Sequence, residues 1–267
     1  MYNVAILNNG EWVAPGKVMW LHAFGRDEPV KIAQHFFLVR GEGRTILVDT
    51  GIDHLEQYLS EEQISRFGIA PSRTTLELLQ DVGVPPDDID TLILTHLHFD
   101  HYPNARLFTK ARIIVNRREY LSVLLPEFRR YAPRVGFPRG VFAWLVDEAW
   151  ERLELVEGDC EIFPGLRCLW TGGHSPGHQI VTVETSEGLV IIPGDLIYMY
   201  ENIEADIPIG YYYNFEELIA GMDRIRAMGG IVLPTHDPEV GRRFPSMSIG
   251  VLPSGQPSRR KRGVTRP

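Results

Sequence analysis

Three histidines and an aspartate fall within six residues, in the string His96-Leu97-His98-Phe99-Asp100-His101. The string directly follows TLILT at residues 91–95, a run of β-branched residues and leucines that is typical of a buried strand. At the end of an extended strand, His96 and His98 share one face, whereas Asp100 and His101 fall in the turn that follows. Imidazole and carboxylate groups suit zinc and similar divalent ions. The spacing therefore predicts a metal site at the end of this strand.

Other acidic and imidazole side chains also follow apolar runs that are typical of strands. They are Asp49 after TILV, His174 after LWTGG, Asp195 after LVIIPG and His236 after IVLPT. Residues at the ends of neighbouring strands share one sheet edge, so these side chains can meet the first string and supply ligands for two ions. His174 and His178 both lie in GHSPGH, and the spacing leaves open which one is the ligand and which one supports it. The remaining histidines lack this setting and are interpreted as structural; they are His22, His35 and His54.

Short apolar runs separated by turn residues surround the candidate ligands. In the first fifty residues, YNVAIL, KVMWLHA, HFFLV and TILVDT predict successive strands. A helix is predicted before the prolines of DVGVPPDD, and residues 117–151 are helical in composition except at YAPRVGFPRG. Strand patterns return in LRCLWT, IVTVET and GLVIIPGD, followed by a helix at residues 215–228 and the strand GIVLP. This order predicts an α/β sandwich of two sheets.

The composition describes an ordinary globular chain. Its 267 residues are 44% hydrophobic and 23% charged, which excludes a disordered or coiled-coil protein. The net charge of −8 argues against nucleic acid as a partner. We expect one domain over residues 1–250 and a disordered basic tail over residues 251–267. Cys160 and Cys168 form no thiolate metal pattern, and no secretory signal or membrane span is evident, so we expect a cytoplasmic protein with no membrane partner.

HLHFDH, GHSPGH, the GD that ends in Asp195 and the late His236 together resemble the metallo-β-lactamase superfamily over about residues 30–245. More narrowly, EGD-x-E-x-x-PG at residues 157–165 and GDLIYMYEN-x-E at residues 194–204 are similar to the N-acyl homoserine lactone lactonases. The resemblance implies the αββα sandwich of that superfamily. In this fold two mixed sheets are flanked by helices, and the metal site lies at the sheet edge.

The resemblance also implies roles for individual residues. One zinc would be held by His96, His98 and His174, the other by Asp100, His101 and His236, with Asp195 bridging both. The implied cofactor is two Zn²⁺, with another divalent metal as the alternative. Tyr198 matches the family's catalytic tyrosine, and Asp49 would orient a ligand imidazole. Asp100 is the candidate that carries a proton to the leaving oxygen.

The expected reaction follows from these roles. Two close divalent ions lower the pKa of a bridging water, so a metal-bridging hydroxide would attack the carbonyl of a lactone ring. The expected small-molecule substrate is an N-acyl homoserine lactone, a quorum-sensing signal, which makes quorum quenching the expected role. The alternative is a hydrolase of the same fold that acts on another lactone, a cyclic amide or a thioester. A non-catalytic binding protein is disfavoured because every ligand position of the motif is filled.

The region beside the metal string departs from the lactonases. They usually have Ala-Gly-Gly-Asn after HFDH, whereas Tyr102-Pro103-Asn104-Ala105 follows here. The candidates for an apolar substrate pocket are Phe99, Tyr102, Ile209 and Tyr211. The apolar stretch 128–150 indicates a lid or a dimer contact, so a homodimer is a candidate assembly.

Overall fold

The computed structural model describes residues 1–22, 28–57, 59–67, 72–131 and 137–250. The strands in this part of the chain are β1 Tyr2–Ala14, β2 Val30–Gly41, β3 Arg44–Val48, β4 Thr91–Ile93, β5 Arg112–Asn116, β6 Leu153–Val156, β7 Cys160–Phe163, β8 Leu166–Trp170, β9 Gln179–Thr185, β10 Gly188–Ile192, β11 Ile231–Val232 and β12 Ser248–Ile249. The helices are α1 Gly16–Met19, α2 Glu61–Phe67, α3 Thr75–Asp81, α4 Arg117–Ser122, α5 Phe128–Tyr131, α6 Arg139–Asp147, α7 Tyr200–Glu204, α8 Phe215–Met228 and α9 Glu239–Arg243. The predicted tail at residues 251–267 lies outside the described residues.

The strands form two halves. In the first half the order is β1-β2-β3-β4-β5-β6, with β12 paired to the other side of β1. In the second half β9 pairs with both β8 and β10, β7 pairs with β8, and β11 pairs with β10. Among the strand pairs of the described residues, one register pair, Tyr2 with Thr185, joins the two halves, and backbone hydrogen bonds from Ala33 N to the His236 carbonyl and from Gln179 N to the Thr95 carbonyl join them further. Both halves are mixed, because β3 to β6 are parallel to one another and β10 is parallel to β11, whereas most other pairs are antiparallel.

Side-chain alternation along the strands separates three hydrophobic cores. Val4 and Ile6 of β1 share one cluster with Val181 and Val183 of β9, so this inner core lies between the two halves. The alternate residues of β1, Ala5 and Leu7, pack in an outer core with residues of α3 and α6. On the other side, Leu169 and Ile180 share a second outer core with Leu218, Met222 and Ile225 of α8. Helix, sheet, sheet and helix therefore follow one another, which confirms the αββα prediction.

The helix boundaries follow local signals. Thr74 forms a capping box with Glu77 at the start of α3. The Asn214 side chain accepts a hydrogen bond from Glu217 N at the start of α8, and Gly229 ends that helix with φ +63°. The prediction of a helix over residues 215–228 is therefore confirmed.

One predicted strand is wrong. KVMWLHA was expected to be extended, but residues 16–19 form the single turn α1. β1 runs to Ala14, much further than YNVAIL, and Pro15 interrupts its hydrogen-bonding pattern. The chain then turns so that Val18 and Met19 face a cavity described below, and burial there outweighs the β propensity of the run.

The surface gives two further findings. Among the described residues, none of the helices has the length and apolar character needed to cross a lipid bilayer. Leu124, Leu125 and Trp150 are more than half exposed. The homodimer, the cytoplasmic location and the domain boundary at residue 250 stay predictions.

Candidate metal centre

Four segments bring the candidate ligands together, and each follows the end of a strand. His96 to His101 come after β4, and His174 comes after β8. Asp195 lies in a 3-10 turn directly after β10, and His236 follows β11. The donor atoms of these side chains meet in two groups, and within each group they lie within 4.8 Å of one another.

The first donor group contains His96, His98, His174 and Asp195. His174 Nε2 lies 2.9 Å from His98 Nδ1 and 3.3 Å from Asp195 Oδ2. His96 Nε2 lies 3.5 Å from the same carboxylate oxygen. Three imidazole nitrogens and one carboxylate oxygen therefore point at a common position.

The second donor group contains Asp100, His101, Asp195 and His236. Asp195 Oδ1 lies 2.9 Å from His101 Nε2 and 3.0 Å from His236 Nε2. Asp100 Oδ2 lies 3.6 Å from each of these two nitrogens. Asp195 therefore presents one oxygen to each group, and its carboxylate bridges them.

The donor atoms fit two divalent ions. Ligands about 2.0–2.1 Å from a tetrahedral zinc lie about 3.3 Å from one another, close to the separations found in both groups. His96 Nε2 and His101 Nε2 are buried, and in the described part of the chain neither makes a hydrogen bond of good geometry, although both lie near the Asp195 carboxylate. Buried polar atoms are ordinarily paired, so these two nitrogens fit the role of metal ligands.

Burial and mutual charge set the titration of the cluster. Burial alone would raise the pKa of Asp195, but the imidazoles of His101, His236 and His96 hold this pKa well below its ordinary value. Burial alone would lower the pKa of His101, yet the carboxylates of Asp195, Asp100 and Asp49 hold it well above its ordinary value. In His96 and His98, burial and neighbouring imidazoles lower the pKa. The two groups thus concentrate negative charge on the bridging carboxylate.

Hydrogen bonds fix which nitrogen of each imidazole faces the donor groups. His101 Nδ1 donates to Asp49 Oδ2 at 2.9 Å, which directs Nε2 towards the second donor group. In the same way, His236 Nδ1 donates to the Ala33 carbonyl at 3.0 Å and His174 Nδ1 to the Tyr211 carbonyl at 3.1 Å. Asp49 also accepts the Thr95 N–H at 2.8 Å, next to His96. Asp49 therefore makes the hydrogen bonds expected of a residue that orients a ligand imidazole.

His178 lies behind the donor groups. The backbone N–H of Asp195 donates to His178 Nε2 at 3.1 Å, and His178 Nδ1 donates to Thr171 Oγ1 at 2.9 Å. Both ring nitrogens are therefore occupied, and His178 positions the backbone of the bridging residue. Of the two histidines in GHSPGH, His174 is the one that joins a donor group.

A cavity of about 230 Å³ opens onto the donor groups. Its polar lining consists of His98, Asp100, His174, Asp195 and His236. We call the remaining lining the apolar wall, and it consists of Trp12, Val13, Ala14, Pro15, Val18, Met19, Ile32, Phe99, Tyr198 and Tyr211. Most of the apolar wall comes from the end of β1, from α1 and from β2, and the sequence reasoning missed these residues.

A family model described as the metallo-beta-lactamase superfamily matches residues 31–245. The chain belongs to the metallo-beta-lactamase superfamily. The match spans all seven donor residues and the helices and sheets that carry them. It confirms the predicted fold class and makes the chain a hydrolase of this superfamily.

Relatives within the superfamily are lactonases. The chain is 33% identical over 180 residues to an N-acyl homoserine lactonase of Bacillus cereus, and the alignment covers 64% of this chain and 67% of the relative. A solved structure of an N-acyl homoserine lactone hydrolase, with the product N-hexanoyl-L-homoserine at its catalytic metal centre, is 27% identical with a TM-score of 0.71. It covers 90% of this chain and 95% of its own. A mutant enzyme from B. thuringiensis with N-decanoyl-L-homoserine bound is 26% identical with a TM-score of 0.71, at the same coverage.

Some of the residues predicted for catalysis and for the substrate pocket line the cavity, and others do not. Tyr198 lines the cavity of this superfamily member, with its ring centroid 5.8 Å from that of His174 and 5.2 Å from that of His236. Phe99 and Tyr211 belong to the apolar wall, as expected for substrate contacts. These three residues keep their predicted roles as proposals.

Tyr102 and Ile209 do not line the cavity, and their predicted substrate contact is corrected. Tyr102 is fully buried in an outer core, and its hydroxyl donates to the Pro138 carbonyl at 3.1 Å. The aromatic ring of Tyr102 therefore fills space in this outer core. Ile209 is fully buried in the outer core beside α8. Both side chains stabilise packing, because neither reaches the space that a substrate would occupy.

Proposed function

We propose that the protein is a dizinc lactonase that opens the ring of N-acyl homoserine lactones. The observation that carries this proposal is a pair of four-donor groups that share Asp195 beneath a cavity with an apolar wall. Relatives that are N-acyl homoserine lactonases support the substrate class. The polar floor suits the lactone ring, and the apolar wall suits an acyl chain.

The two donor groups would hold one zinc ion each. Two zinc ions in such a site polarise a carbonyl group and make a bound water reactive near neutral pH. Tyr198, at the cavity surface beside His174 and His236, donates a hydrogen bond to the carbonyl oxygen as negative charge develops there. Asp100, which lines the same cavity, accepts the proton that the attacking water loses and passes it to the ring oxygen as the C–O bond breaks, so that the ring opens to a carboxylic acid and an alcohol.

The apolar wall excludes water and orients the substrate. Trp12, Met19 and Ile32 line the cavity, so an acyl chain that lies against them is removed from water on binding. Phe99 follows His98 directly and belongs to the same surface. The bound acyl chain thereby places the lactone ring, to which it is attached, over the donor groups.

A substrate panel with metal analysis of the same preparation tests the proposal. We expect about two zinc ions per chain and faster hydrolysis of N-hexanoyl and N-decanoyl homoserine lactones than of simple lactones, thioesters or a β-lactam. Asp195→Asn is the matched control, because it keeps the shape of the bridging residue and removes its charge. A zinc-loaded enzyme that turns over a thioester and no lactone would refute the substrate class.

A further inference from the structure

Glu119 is a buried carboxylate that the mechanism above does not use. It lies in the first turn of α4, directly after β5, and only 3% of its surface is exposed. Acidic residues in a first helical turn usually stay in solvent near the helix N-terminus. Here the side chain turns inward, and burial raises its pKa, although hydrogen bonds from Ser175 and Leu97 oppose this rise.

The carboxylate joins two segments that carry ligands of the first donor group. Glu119 Oε1 accepts the Leu97 N–H at 3.0 Å, and Leu97 lies between His96 and His98. Glu119 Oε2 accepts the Ser175 hydroxyl at 2.7 Å and the Gly177 N–H at 2.8 Å. Ser175 directly follows His174, so one side chain ties the His96–His98 segment to the His174 segment.

Close packing at Gly177 makes this arrangement possible. A Cβ atom at Gly177 would lie 1.9 Å from Glu119 N and 2.5 Å from Glu119 Cα, so the backbones touch where only glycine fits. The glycine of GHSPGH therefore has a packing role, and the His174 segment rests directly on the start of α4.

The ligands of the second donor group are supported elsewhere. His101 donates to Asp49, His236 donates to the Ala33 carbonyl, and Gln34 Nε2 donates to the Asp100 carbonyl at 2.7 Å. None of the three hydrogen bonds of Glu119 goes to a residue of that group or to its neighbours in the chain. Glu119 therefore supports segments of the first donor group, whereas Asp49 contacts both groups, through His101 and through Thr95 beside His96.

We propose that Glu119 is a positioning residue that sets the separation of the His96–His98 and His174 segments, and so controls metal affinity at the first donor group without touching a donor atom. The inference rests on the proposed dizinc site. Outer hydrogen-bond partners of metal ligands typically contribute ~10- to 100-fold in affinity.

Glu119→Gln tests the proposal because the amide keeps the shape and one oxygen but places an NH₂ group against a backbone N–H. We expect zinc at one of the two sites to bind ~10- to 100-fold more weakly, while the other site keeps its affinity. The measurement is titration of the metal-free full chain with zinc in competition with a chromophoric chelator. Co²⁺ absorption spectra of the same variant should show a change confined to one of the two ions.

Glu77→Gln is the matched control, because Glu77 is also a first-turn carboxylate that accepts hydrogen bonds but lies exposed on α3. It should leave both zinc affinities and the Co²⁺ spectrum unchanged. If Glu119→Gln does not fold, Ser175→Ala removes one of the three hydrogen bonds and should weaken the same single site several-fold.

The outcomes separate the two proposals. A wild-type chain that binds no zinc would remove the proposed function itself. Two unchanged zinc affinities in Glu119→Gln, with only a lower melting temperature of the metal-free form, would show that Glu119 merely stabilises the fold. The inference would also be overturned if Glu119→Gln weakened zinc binding equally at both sites. Where Glu119→Gln does not fold, unchanged zinc affinity in Ser175→Ala would overturn it.

Discussion

Asp49→Asn should weaken metal binding through the tautomer of His101. Asp49 Oδ1 accepts the Thr95 N–H at 2.8 Å, and Oδ2 accepts both the Thr95 hydroxyl at 2.8 Å and His101 Nδ1–H at 2.9 Å. An asparagine offers one oxygen and one NH₂ group in place of these two oxygens. Asp49 has φ +59°, a conformation that asparagine also tolerates, so the backbone is not expected to change.

Each orientation of the amide leaves a conflict. If the NH₂ group faces His101, two donors oppose each other, or His101 moves its proton to Nε2 and loses the lone pair needed by the second donor group. If the NH₂ group faces Thr95 instead, the backbone N–H beside His96 loses its acceptor. A buried donor left unpaired costs about 1–3 kcal/mol, which corresponds to about 5- to 150-fold in an equilibrium constant. We therefore expect zinc affinity to fall ~10- to 100-fold.

The assay is competition titration of zinc in the metal-free variant, together with its thermal unfolding. Asp53→Asn is the control, since Asp53 is also buried and accepts the Thr75 N–H at 3.1 Å but lies outside both donor groups. It should alter stability without altering zinc affinity. Zinc affinities of Asp49→Asn within twofold of the wild type would refute the tautomer argument.

Three further predictions concern the reaction and the cofactor. Tyr198→Phe should lower kcat by ~10²- to 10³-fold with unchanged KM and zinc content, because the hydrogen bond forms mainly in the transition state; unchanged kcat in steady-state assays would remove Tyr198 from the mechanism. For a series of acyl chain lengths, kcat/KM should rise about fourfold per methylene that contacts the apolar wall, because burial of one CH₂ contributes ~0.8 kcal/mol. Trp12→Ala should reduce this dependence on chain length, and an identical dependence in the variant would contradict the proposed wall. Chelation should lower the melting temperature reversibly, because free zinc at about 100 times its dissociation constant adds about 2.7 kcal/mol per site, and equal unfolding curves with and without zinc would count against the site.

The residues of the two donor groups could be predicted from sequence because their signals are local. The HLHFDH string follows a buried strand, and the other candidates each follow an apolar run, so strand ends alone bring them near one edge. The choice between His174 and His178 could not be made this way. It depends on the Asp195 N–H and Thr171 contacts of His178, which exist only in the folded chain.

The lining of the cavity and the contacts of Glu119 could not be predicted from sequence either, but for a different reason. Trp12 and Met19 reach the cavity because β1 runs past residue 10 and the chain turns at Pro15, and neither feature has a periodic signal. Glu119 follows the pattern of an ordinary helix-start acid. Its partners lie 22, 56 and 58 residues away in the sequence, and no local spacing connects them.

The metal centre depends on how the two halves of the sandwich are placed. In the first donor group, His96 and His98 follow a strand of the first half, whereas His174 and Asp195 follow strands of the second. The second group likewise takes Asp100 and His101 from one half and Asp195 and His236 from the other.

Each ion would therefore have two ligands from each half. Besides the register pair of Tyr2 with Thr185, backbone hydrogen bonds join the halves at the ligand segments, from Ala33 N to the His236 carbonyl at 2.9 Å and from Gln179 N to the Thr95 carbonyl at 3.0 Å. Together with side-chain packing in the inner core, these hydrogen bonds set the separation of the ligands. A shift of about 0.5 Å between the halves would disturb both donor groups together, since functional sites need positioning of that order. The inner core and these backbone hydrogen bonds would thus hold the geometry of both zinc sites, and bound metal would link the halves further.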